Sequence, residues 1–102
     1  MLVTGAAGFA GSHLLDALLE RDAIVEGWAR PDTPPSFGYF APGVRWRTVE
    51  LLDRAAVRDA VADLRPTAIF HLAGAAHVGQ SWRAVASTLA VNVMGTENIL
   101  EA

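Results

Sequence analysis

Three glycines stand at three-residue intervals near the start of the chain. They are Gly5, Gly8 and Gly11, in the stretch "VTGAAGFAGSHLLDALLERD" from Val3 to Asp22. A short apolar run precedes them and a helical pattern follows. A helix N-terminus offers unpaired N–H groups and a partial positive charge, which suit a phosphate or pyrophosphate. Each glycine then has its own reason. Gly5 allows a tight turn, Gly8 lets the backbone approach a ligand, and Gly11 lets helix and strand pack closely. The spacing is G-x-x-G-x-x-G rather than G-x-G-x-x-G, and glycines at a strand–helix turn also make plain turns. The surrounding elements decide between the two.

Those elements alternate. Met1 to Thr4 reads as a short buried strand, and Ser12 to Arg21 as a helix with Leu14, Leu15, Leu18 and Leu19 as its apolar stripe. Gly11 opens that helix. Ala23 to Ala29 is a second strand, and the proline-rich "RPDTPPSFGYFAPG" that follows is a loop. Val44 to Leu51 is a third strand. Asp53 can cap a helix to Leu64, in which Val57, Ala60, Val61 and Leu64 recur at i, i+3, i+4 and i+7. Ala68 to Ala73 is a fourth strand, and a last helical pattern runs from about Trp82 to the end. Strands alternating with helices predict a parallel sheet covered on both faces and joined by right-handed crossovers. The fold class is α/β, a partial Rossmann-like doubly wound parallel sheet of four strands in the order 3-2-1-4.

Composition narrows the chemistry. A net charge of −3 argues against nucleic acid as the main partner. The absence of cysteine excludes disulfides, thiolate metal sites and thiol nucleophiles. His13, His71 and His77 show no metal-ligand spacing. No apolar run approaches the roughly 18 residues of a membrane span, and the N-terminus lacks the features of a signal peptide, so a cytoplasmic location is expected. All 8 basic residues are arginine, so a P-loop lysine is excluded here.

Three stretches, "TGAAGFAGSHL", "HLAGAAHVGQSW" and "NVMGTENILEA", resemble the extended short-chain dehydrogenase/reductase family of nucleotide-sugar epimerases and dehydratases. The second is most similar to the GDP-mannose 4,6-dehydratase and 4-keto-6-deoxymannose reductase branch. The resemblance implies an NAD(P)-binding domain and hydride transfer on a nucleotide sugar. It implies that Gly5, Gly8, Phe9 and Gly11 hold the pyrophosphate. Leu72, Ala73, Gly74 and Ala75 match the segment beside the cofactor, and Asn92 matches an asparagine near it. Glu50 and Leu51 match an Asp-Leu pair that contacts adenine; Glu50 reads equally as a solvated strand end. Members that use NAD carry an acid at the end of the second strand. Here Ala29 takes that place and Arg30 follows, which suits the 2′-phosphate of NADP and favours it over NAD. The alternative for Arg30 is a solvated side chain on a loop.

His71 lies inside a buried strand pattern and reads as a hydrogen-bonded core residue. His77 reads as a surface-loop residue close to the expected nicotinamide end. Thr88, Asn92 and Thr96 fall four apart on one helix face. Trp28, Trp46 and Trp82 read as packing residues. The family's reaction needs a tyrosine followed four residues later by a lysine, but the tyrosine here is Tyr39 and position 43 is Gly43. The expectation is an N-terminal part of the family's nucleotide-binding domain, inactive alone, without the catalytic Tyr/Lys segment or the substrate domain. A nucleotide sugar would bind only if the missing part were supplied. The alternative is a non-catalytic dinucleotide-binding or interaction module. Self-association through the fourth-strand edge or the last helix is also expected.

Overall fold

In the computed structural model, residues 1–32, 41–75 and 84–102 are described; Tyr39, His77 and Trp82 lie outside them. The chain runs β1 (Leu2–Thr4), α1 (Phe9–Leu19), β2 (Val25–Ala29), β3 (Val44–Thr48), α2 (Arg54–Leu64) and β4 (Ile69–His71). A last helical stretch follows in three pieces: α3 (Val85–Leu89), a π-helical turn (Ala90–Met94) and α4 (Gly95–Glu101). The strands form one parallel sheet in the order β3-β2-β1-β4, as the alternating pattern requires.

The strands are shorter than their apolar runs. β4 stops at His71, although the Leu72 amide still donates to the Thr4 carbonyl at 3.2 Å. α1 begins at Phe9 with Gly8 as its cap, so Gly11 lies within the first turn rather than opening the helix. The last helix departs further from a regular pattern, because a π-turn inserts a residue into it. Asp53 does cap α2: its carboxylate accepts from the Ala56 amide at 3.0 Å.

Two apolar cores lie on opposite faces of the sheet. On one face Leu15 and Leu18 of α1 pack on Val3, Ala6 and Val25, with Trp46 and Phe70 at the margin. On the other, Val57, Ala60 and Val61 of α2 and Ile99 of α4 pack on Leu2, Trp28 and Leu51. Covering on both faces is what a parallel sheet needs, and the two central strands, β1 and β2, are buried accordingly. Trp28 is a packing residue as its pattern suggested, and Trp46 is half-buried against Gly27.

One charge sits inside this frame. Glu26, in β2, is only 2% exposed. Its carboxylate accepts from the Trp28 indole N–H at 2.7 Å and from Arg45 Nε at 2.6 Å. The β2–β3 register sets Glu26 directly opposite Arg45, so the arginine reaches the carboxylate while its own side chain stays largely in water. A carboxylate is tolerated at this depth because its oxygens are hydrogen-bonded. Among the described residues no helix is long and apolar enough to cross a membrane.

Candidate functional site at the carboxyl edge of the sheet

The strand order reverses between β1 and β4. β1 leads through α1 to β2 on one side, while the chain later crosses to β4 on the other. In doubly wound sheets such a switch leaves a crevice beyond the strands' carboxyl ends. The turn after β1 and the segment after β4 meet there.

The three glycines of the turn differ physically. Gly5 has φ +66°, a left-handed conformation that side chains rarely adopt. A Cβ on it would lie 2.7 Å from the Ala73 amide nitrogen and from the Leu72 carbonyl carbon. A Cβ on Gly11 would lie 2.2 Å from the Gly5 carbonyl oxygen and 2.8 Å from the Ala6 Cα. Both glycines are therefore required by the chain's own packing. Gly8 is not. Its φ of −82° and ψ of 174° suit any residue, it is exposed, and a Cβ there would meet only the Gly5 carbonyl, at 3.2 Å. Gly8 caps α1 without a side-chain acceptor, and the first turn carries no acidic residue. The amides at this helix start are thus not occupied by a side-chain cap. Phe9, 84% exposed, stands at the rim with its ring edge-on to His13.

The segment after β4 is held by side chains instead. The Ala73 amide donates to Thr4 Oγ1 at 3.3 Å. Asn92 clamps Ala75 from both sides: its Oδ1 accepts from the Ala75 amide at 2.7 Å, and its Nδ2 donates to the Ala75 carbonyl at 3.3 Å. A Cβ on Gly74 would come within 3.1 Å of that Oδ1. Asn92 lies in the π-turn, a feature frequent at functional sites. His71 bridges the elements. Its Nδ1 is 2.6 Å from Thr4 Oγ1 and its Nε2 3.1 Å from Thr96 Oγ1. Burial pushes its pKa below the usual 6.5. His71 is hydrogen-bonded as its pattern suggested, but it is half-buried rather than a core residue.

The remaining candidates lie farther along the same edge. Ala29 ends β2, and Arg30 follows it, exposed and 3.5 Å from Asp32. Glu50, exposed beyond β3, turns one carboxylate oxygen back onto the Leu52 amide at 3.1 Å. Leu51 buries its side chain in the core, and Asn98 Nδ2 donates to its carbonyl at 2.8 Å. Thus Gly5, Gly8, Phe9, Gly11, Leu72, Ala73, Gly74, Ala75 and Asn92 gather about the β1–β4 switch. Arg30 lies at the end of β2, and Glu50 and Leu51 just beyond β3. Sequence reasoning placed Thr96 on one helix face without a partner, and it missed Thr4 and Asn98 as groups that fix these segments. Their only signal was a polar residue recurring beside apolar ones. Among the described residues no group of three His, Cys, Asp or Glu could hold a metal ion.

The profile of the NAD dependent epimerase/dehydratase family matches residues 1–102. The chain belongs to that family. It is 34% identical to a dTDP-glucose 4,6-dehydratase from Neisseria meningitidis serogroup B, over 100% of this chain and 30% of that protein. It is 33% identical to a GDP-6-deoxy-D-mannose reductase from Pseudomonas aeruginosa, over 100% of this chain and 28% of that protein. A crystal structure of the UDP-glucose 4-epimerase of Thermus thermophilus in complex with NAD superposes with a TM-score of 0.88 at 36% identity, covering 98% of this chain and 32% of that one. The chain therefore spans under a third of the length of these epimerase/dehydratase relatives. They differ in the nucleotide that carries the sugar. The relatives are thus a nucleotide-sugar dehydratase, a reductase and an epimerase, the last in complex with NAD.

The chain's own residues fit a dinucleotide. Gly8 caps α1 with no side-chain acceptor on the first-turn amides, which leaves them open to an anionic group.

Proposed function

We propose that residues 1–102 form the N-terminal, dinucleotide-holding part of a nucleotide-sugar epimerase, dehydratase or reductase. The observation that carries this reading is Gly8: Gly5 and Gly11 are explained by packing, whereas an exposed Gly8 with ordinary backbone angles is explained by a ligand that needs the space. The first-turn amides of α1 would hold the pyrophosphate over Gly8 and Phe9. The adenosine half would run toward Arg30, Glu50 and Leu51, and the other half along Leu72 to Ala75, with Asn92 holding that segment still. When bound, the cofactor would supply hydride exchange with a carbon of the sugar. Residues 1–102 hold no lysine, and the tyrosine–lysine pair that the resemblance implies for proton transfer is not among them, so they are proposed to be inactive alone.

NADP is proposed as the favoured cofactor. Ala29 removes the acid that would repel a 2′-phosphate, and the exposed Arg30 can pair with it, its present partner Asp32 being held only by a surface ion pair. A GDP-mannose type of sugar nucleotide is proposed from "HLAGAAHVGQSW"; the Pseudomonas reductase is compatible with it. Leu89, Val93 and Leu100 are 57%, 60% and 80% exposed, and β4 lies at the edge of the sheet. These features support the proposal that the isolated chain self-associates.

Calorimetry with NADP and NAD tests the reading. Wild type should bind NADP more tightly, and Gly8→Val should abolish binding with the far-UV circular dichroism unchanged. A Gly8→Val protein that binds normally would reduce the glycine stretch to a turn.

A further inference from the structure

The hydrogen bonds around His71 have only one consistent direction. Thr96 has a single hydroxyl proton and donates it to the Asn92 carbonyl at 2.7 Å. Thr96 Oγ1 must therefore accept from His71, which places the ring proton on Nε2. Nδ1 is then bare and accepts from the Thr4 hydroxyl. Thr4 Oγ1 in turn accepts from the Ala73 amide. The chain of donors runs Ala73 to Thr4 to His71 to Thr96 to Asn92, and the Asn92 side chain closes back on Ala75. It joins β1, one residue before Gly5, to both ends of the segment after β4.

We propose that neutral His71, as its Nε2–H tautomer, is a positioning residue that locks residues 73–75 against the strand carrying the glycine turn, and that protonation of the ring releases this lock. A protonated ring donates from both nitrogens. Nδ1 would then present a hydrogen to Thr4 Oγ1, and the Thr4 hydroxyl proton would lose its acceptor. Thr4 is 1% exposed, so no water replaces it at little cost.

No described charge facing the ring compensates an imidazolium. β1, β4 and residues 72–75 carry no other ionisable side chain. On α4, Glu97 and Glu101 are exposed, and Glu101 pairs with Arg54. On β2, Glu26 is engaged by Arg45 and Trp28. Burial alone lowers the pKa of His71. The folded value is thus below the unfolded one. The lock contributes fully above about pH 6.5, and its contribution falls as the pH drops through the lowered folded value.

As regards nucleotide binding, the proposal rests on the function proposed above; the lock itself does not. Nitrogen-15 spectra of the full chain at pH 7.5 should show the Nε2–H tautomer of His71. Amide-exchange protection at Ala73 and Ala75 should drop about fivefold in wild type between pH 7.5 and a pH below the His71 titration followed in the same spectra, the size of one lost hydrogen bond. His71→Gln and Thr96→Val should show low protection at both pH values, and Thr96→Ser should restore the wild-type profile. Should His71→Gln fail to fold, Thr96→Val, which removes one hydroxyl, decides the matter. An Nδ1–H tautomer, full protection in Thr96→Val, or an unchanged acid response in His71→Gln would overturn the proposal. NAD is the nucleotide to use, because the phosphate monoester of NADP itself titrates near pH 6. Its affinity for wild type should fall about fivefold over the same range, in step with protection. Affinity that ignores pH while protection falls overturns the link to binding. Failure of NAD and NADP to bind at pH 7.5, with the protection response intact, overturns the proposed function and leaves the lock standing.

Discussion

The turn after β1 and the segment after β4 lie against each other at the carboxyl end of the sheet, but they are held by opposite means. The first is fixed by backbone sterics: Gly5 and Gly11 are the residues that let a strand end, a turn and a helix start pass within contact of one another. The second is fixed by side-chain hydrogen bonds from Thr4 and Asn92, with His71 and Thr96 between them. A steric device fails abruptly, because backbone atoms have nowhere to go. A hydrogen-bonded device fails by degrees and responds to pH. The candidate site thus has one rigid wall and one adjustable wall.

Substitutions can break this comparison. The largest effect should come from Gly11→Val. Its Cβ would sit 2.2 Å from a backbone oxygen. A loss of more than about 3 kcal/mol, read by urea denaturation, is expected from overpacking against backbone. Gly8→Val, three residues away, should change stability by less than about 1 kcal/mol while removing dinucleotide binding. Equal destabilisation by the two variants would erase the distinction between a packing glycine and a ligand glycine.

The adjustable wall should respond less. Asn92→Ala removes both bonds to Ala75, which is exposed and can turn to water. About 1 kcal/mol should be lost, together with protection of the Ala75 amide in hydrogen exchange. The smallest effect on stability should come from Arg30→Ala. Its ion pair with Asp32 is exposed on both sides, so stability should move by less than about 0.5 kcal/mol. The preference for NADP over NAD should nevertheless shrink, read by calorimetry; an undiminished preference would remove Arg30 from the cofactor site.

Much of the rigid wall was legible in the residues. Glycine spacing between an apolar run and a leucine stripe implies a strand, a turn and a helix, because few other residues permit φ near +66°. The Asp53 cap and the 3-2-1-4 order were equally legible, since capping is local and the crossover rule leaves few topologies. The adjustable wall was not legible. Thr4 and His71 are 67 residues apart and become partners only through the β1–β4 register. Asn92 reaches Ala75 from a π-turn that the regular spacing of Thr88, Asn92 and Thr96 gives no sign of. Asn98 meets Leu51 over a separation of 47 residues.

By itself the sequence determined the alternation of strands and helices, the doubly wound order and the glycine turn. Each follows from local backbone preference or from apolar periodicity, which act over a few residues. Tertiary structure alone decided that Glu26 is buried and answered by Arg45, that Gly8 is the least tightly packed of the turn's three glycines, and that His71 stands between Thr4 and Thr96. Each of these depends on which groups from distant parts of the chain arrive within hydrogen-bond or contact distance, and no local pattern encodes such distances.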